Sequence, residues 1–157
     1  MWGKRASRSG GGGTRDAAGA AVALLSVRVA RDRGAVARFN DAVERELLPQ
    51  VPHNAVRALQ IALDELLTNV IMHADQAAGP IEVEIARERD AVATTIRYIA
   101  AAFDPTTWTP VRHAASVTAS PVGGRGIELV RALMDEFVYG YEDGYNVVSV
   151  RKRCSFV

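Results

Sequence analysis

Glu65, Asn69 and His73 recur every fourth residue. On a helix that spacing places them in one polar stripe. A carboxylate there can take a proton, and an amide oxygen can ligate a hard cation. Mg²⁺ prefers oxygen ligands and keeps several waters, so one asparagine plus phosphate oxygens is a sufficient set. By spacing alone the stripe reads more simply as a solvated helix face. A second candidate is Gly123-Gly124-Arg125-Gly126, just before an apolar-periodic run. Glycines permit tight turning and close approach of a ligand. Free N–H groups at a helix start suit phosphate. The competing reading is a hinge that binds nothing, with Arg125 solvated.

The elements that must position these residues follow from periodicity. Leu24 to Ala30 alternates, as a half-buried strand does. Asp32 is placed to cap a helix from about Gly34 to Leu48, ended by Pro49 and Pro52. Asn54 then caps a second helix through about Ala74. Its apolar residues cover most of its girth, so it is buried. Gly79-Pro80 breaks the pattern. Ile81 to Arg87 and Val92 to Ile99 read as a hairpin about Glu88-Arg89-Asp90. Residues 100 to 122 are irregular, with three prolines, and a segment of that kind is often a lid. A helix from Gly126 to Phe137 and a closing hairpin turning at Asp143-Gly144 complete the chain. This order predicts an α/β two-layer sandwich: a mixed sheet with helices on one face.

Composition narrows the function classes. The chain has 157 residues and a formal net charge of +1. One domain is the default at this length, and the charge gives no case for direct nucleic-acid binding. The single cysteine, Cys154, excludes an intrachain disulfide and fits a reducing compartment, so a cytoplasmic location is expected. Three histidines and one cysteine show no metal-ligand spacing. Residues 1–20 are Gly- and Arg-rich and read as a flexible tail, with the domain in 21–157. The alanine-rich stretch after the tail is too short and interrupted to span a membrane.

Taken in order, three segments carry a family resemblance. Glu65 to Ala74 (ELLTNVIMHA) resembles the N box of bacterial anti-sigma-factor serine kinases. Phe103-Asp104-Pro105 resembles the sequence that opens their lid, and Gly123 to Tyr139 their second glycine box and following helix. These proteins have the GHKL ATPase (Bergerat) fold. The resemblance spans about residues 24 to 153. It implies that Glu65 is the general base for a serine hydroxyl and that Asn69 is the Mg²⁺ ligand. It also implies that His73, Phe103, Asp104, Gly123, Gly124, Arg125 and Gly126 surround ATP. The implied partners are a STAS-type anti-anti-sigma protein and a sigma factor, and dimerisation through the first strand and helix is expected. Histidine kinases share the Glu/Asn pair but add a helical phosphoacceptor domain.

One departure stands out. The family carries Asp-x-Gly, where the aspartate accepts from the adenine amino group, at the positions of Tyr98, Ile99 and Ala100 here. Losing a charged acceptor can cost about 1.5–3 kcal/mol, or about one to two decades in affinity. An alternative function is therefore a non-catalytic module of the same fold that sequesters a regulator with weak or no ATP binding.

Overall fold

The computed structural model describes residues 20–108 and 124–156. The expected tail, Gly123 and the second half of the expected lid lie outside them. The elements are β1 (Val22–Val29), α1 (Arg33–Leu47), α2 (His53–His73), β2 (Ala78–Arg87) and β3 (Ala91–Ile99), then α3 (Gly124–Leu133), β4 (Glu136–Glu142) and β5 (Tyr145–Arg153).

The α/β two-layer arrangement is as expected. The sheet is not mixed, however: its strand order is β1-β2-β3-β5-β4 and every pairing is antiparallel. Strands β1 and β2 pair antiparallel although α1 and α2 lie between them in the chain. At the other side the last hairpin docks through β5, which separates β3 from β4. Had β4 docked beside β3, the two would have run parallel.

Local chemistry sets most boundaries. Asp32 caps α1, its Oδ1 accepting from the Ala35 N–H at 2.8 Å. Val36, Phe39, Val43 and Leu47 form the buried stripe of α1. Asn54 does not cap α2. Pro52 holds that place without a side-chain bond, and its carbonyl accepts from the Ala55 and Val56 N–H groups. Proline suits the position because its φ is fixed and it has no N–H to satisfy. Nor does Gly79-Pro80 delay β2. Pairing resumes from Ala78 across a register irregularity, with Gly79 at φ 68°. The last helix ends at Leu133 rather than Phe137. The Asp135 N–H already bonds the Arg151 carbonyl, so sheet pairing takes over the chain. Asp143 and Gly144, at φ 52° and 81°, form the expected hairpin turn.

The core lies between α2 and the sheet. Leu59, Leu63 and Leu67 are fully buried against Ile81, Ile85 and Ile96. Among the described residues no helix is long and apolar enough to cross a membrane. Leu63→Ala should lower unfolding stability by about 2–5 kcal/mol, and Asp32→Ala by about 1 kcal/mol. Denaturant titration of the two variants checks both values and their order.

Candidate functional site

Helix α2 positions the polar stripe. One side of α2 is buried and another, with Arg57, Ile61, Thr68 and Met72, is exposed. Glu65, Asn69 and His73 lie along the margin between them, Glu65 and Asn69 half-buried and His73 exposed. The first turn of α3 packs on that margin. A Cβ built on Gly126 would collide with the Glu65 carboxylate, whose Cδ lies 3.0 Å from that position. Glycine is therefore what lets the start of α3 approach Glu65. The structure thus brings together two motifs separated by about sixty residues of sequence. Arg125, in the same turn, is exposed.

Beside this margin opens a cavity of about 290 Å³. That lies near the lower end of ligand pockets, about 300–1,000 Å³. α2 lines it with Leu66, Asn69, Val70 and His73, and the sheet with Ile96, Tyr98 and Val148. Ala74 and Asp75 form part of its rim, and the segment after β3 closes it with Ala101, Ala102, Phe103, Pro105 and Trp108. Apolar walls with a few polar groups suit a flat heteroaromatic ring. Glu65, Arg125 and Gly126 do not line this cavity. They sit beyond Asn69, at the α3 end of the stripe.

Asp104 does not line it either. Its Oδ1 accepts from the Thr106 N–H at 2.8 Å and the Thr106 hydroxyl at 2.6 Å, closing a local turn. Arg131 of α3 donates to the Thr106 and Trp108 carbonyls at 2.8 and 2.6 Å. The opening of the irregular segment is thereby tied to the same helix that approaches Glu65.

Sequence reasoning missed Asn146, which is fully buried. Its Nδ2 donates to the Ala100 and Ala101 carbonyls at 3.3 and 3.2 Å. Its Oδ1 accepts from the Phe103 N–H at 3.0 Å and the Tyr139 hydroxyl at 2.6 Å. One side chain thus fixes the backbone that walls the cavity. The available signal was an asparagine inside an apolar strand, where that residue is depleted.

Arg31 was also missed. Its Nε donates to the Gly79 carbonyl at 2.8 Å and its Nη2 to the Ile99 carbonyl at 3.1 Å, joining the ends of β2 and β3. Tyr98 is 4% exposed, and Ala100 is buried as well. Burial, reinforced by Tyr139, pushes the Tyr98 phenol up to about 12 from the ordinary 10.0, while the Arg31 charge opposes the rise.

For a metal, the described residues offer no group of three His, Cys, Asp or Glu side chains. The half-buried Asn69 amide fits a cation that takes most of its oxygens from a ligand's phosphates and water. A family profile for the histidine kinase-like ATPase domain matches residues 26–152. The chain belongs to this family. It is also similar to the serine/threonine-protein kinase BtrW of Bordetella bronchiseptica, at 32% identity over 90 residues. That match covers 56% of this chain and 63% of the relative, less than two thirds of the relative's length. The family's ATP chemistry accords with a cavity adjoining a glycine-entered helix.

The Tyr98 shift has a pH consequence. A raised pKa stabilises the fold fully below the unfolded value of about 10, and that contribution is lost as pH rises through about 12. Ultraviolet titration should show one phenol ionising near pH 12 that is missing from Tyr98→Phe.

Proposed function

We propose that this protein is an ATP-dependent serine/threonine-protein kinase and anti-sigma factor of a partner-switching system. It transfers the γ-phosphate of ATP to a serine of a STAS-type anti-anti-sigma protein. It also binds a sigma factor until the unphosphorylated antagonist competes. The observation that carries the reading is the contact between Glu65 and the start of α3 at Gly126. A proton acceptor there lies beside a helix N-terminus suited to phosphate. Membership of the ATPase family and the likeness to a protein named as a serine/threonine kinase support it.

In this reading the cavity between α2 and the sheet takes the base, and Asn69 lies between base and phosphates. Mg²⁺, when bound, neutralises phosphate charge, and Asn69 would supply its protein oxygen. Glu65 accepts the proton of the incoming serine hydroxyl. The serine oxygen forms a bond to the γ-phosphorus as the bond to the β-phosphate oxygen breaks, and ADP leaves. Arg125, exposed beside this end, is available to the departing charge.

Radiolabelled ATP, Mg²⁺ and a candidate STAS protein test the reaction. Glu65→Gln should reduce transfer by about 100-fold or more. Gly126→Ala should also reduce it, because the added methyl displaces the Glu65 carboxylate, while melting stays near that of the native protein. Transfer undiminished in Glu65→Gln would remove the base assignment. No nucleotide binding by calorimetry would leave a non-catalytic sequestering module.

A further inference from the structure

The end of the cavity formed by the sheet presents a hydroxyl that no described residue engages. Tyr98 is 4% exposed, yet it lines the cavity, and its hydroxyl has no hydrogen-bond partner among the described residues. Among the described neighbours, Arg31, whose charge acts on Tyr98, keeps its own Nη1 buried without a hydrogen-bond partner. Asn146 is committed to the backbone of residues 100–103 and to the Tyr139 hydroxyl. The Asp75 side chain belongs to an exposed residue at the rim. The hydroxyl is not sealed from the cavity, so a ligand seated there can pair with it directly. The surrounding walls from Leu66, Val70, Ile96 and Val148 are apolar, so the phenol is the one side-chain hydroxyl among the lining residues.

We propose that the Tyr98 hydroxyl reads the Watson–Crick edge of a bound purine and lets the cavity take guanine as well as adenine nucleotides. The inference rests on the nucleotide-binding reading above and adds a specificity to it. A phenol both donates and accepts. Toward adenine it donates to N1 or accepts from the 6-amino group. Toward guanine it donates to O6 or accepts from N1–H. Rotation about the C–O bond changes one role for the other, which an acceptor-only carboxylate cannot do. A phenol is protonated at neutral pH, and burial only strengthens this here, so the donor is present. The Arg31 guanidinium, whose charge acts on Tyr98, favours acceptor atoms such as O6 at this end. The ring's position is set by strand β3, where Tyr98 pairs with Asn146 of β5, so the hydroxyl is presented from a rigid element.

Calorimetry of the native protein and Tyr98→Phe with Mg-ATP and Mg-GTP tests this. The native protein should bind both within about tenfold of each other. Tyr98→Phe, which keeps the ring and its packing, should weaken each by about three- to tenfold. A native preference for ATP of more than about tenfold would overturn the inference, as would equal affinities in the native protein and Tyr98→Phe. The native ATP-to-GTP ratio decides the matter even if the variant fails to fold. Binding of ATP with GTP excluded sinks this inference and leaves the kinase reading standing. Failure of the native protein to bind either nucleotide sinks both.

Discussion

The burial of α2 governs this molecule. Beside its core-facing side, α2 leaves a margin bordering the exposed face of Arg57, Ile61, Thr68 and Met72, where polar side chains cost least. Glu65, Asn69 and His73 occupy that margin, four residues apart. The cavity opens to one side of it, and the first turn of α3 packs against Glu65 at the other end. The close approach of α3 depends on the missing side chain at Gly126. The same packing that stabilises the domain therefore also aligns a proton acceptor with a helix start.

A second constraint acts across the cavity. The segment after β3 must leave the sheet and turn over the site, which exposes backbone groups to an apolar surrounding. Asn146 answers three of those demands with one amide, which also accepts from the Tyr139 hydroxyl. Arg31 does comparable work at the ends of β2 and β3, and Arg131 ties the Thr106 and Trp108 carbonyls to α3. These bonds hold the near part of the irregular segment to the folded core. Tyr98 lies among them but is not consumed by them, so its hydroxyl is left for the cavity.

Much of this was legible in the chain itself. Alternation marked the strands, and the apolar girth of α2 marked it as buried. The cap at Asp32 and the turn at Asp143-Gly144 were readable because each rests on one residue's local chemistry. The start of α2, the end of α3 and the onset of β2 were not. The end of α3 is decided by a partner distant in sequence and the onset of β2 by a backbone irregularity, while α2 starts after Pro52, a proline that reads equally well as the end of α1. The sheet was expected to be mixed because the element order does not say whether β4 or β5 docks on β3.

For the site, the amino-acid sequence determined the chemical inventory and its helical spacing: a carboxylate, an amide and an imidazole on one stripe, and a glycine-rich helix entry. It also showed the tyrosine at position 98. Only the tertiary structure decided which of these meet. It set Gly126 against Glu65, turned Asp104 to its own backbone, and made Asn146 the tether of the cavity wall. It also left the Tyr98 hydroxyl without a partner among the described residues. Spacing along a chain fixes which side chains share a face of one element. Contact between elements depends on how their buried faces pack, and that is a property of the whole fold.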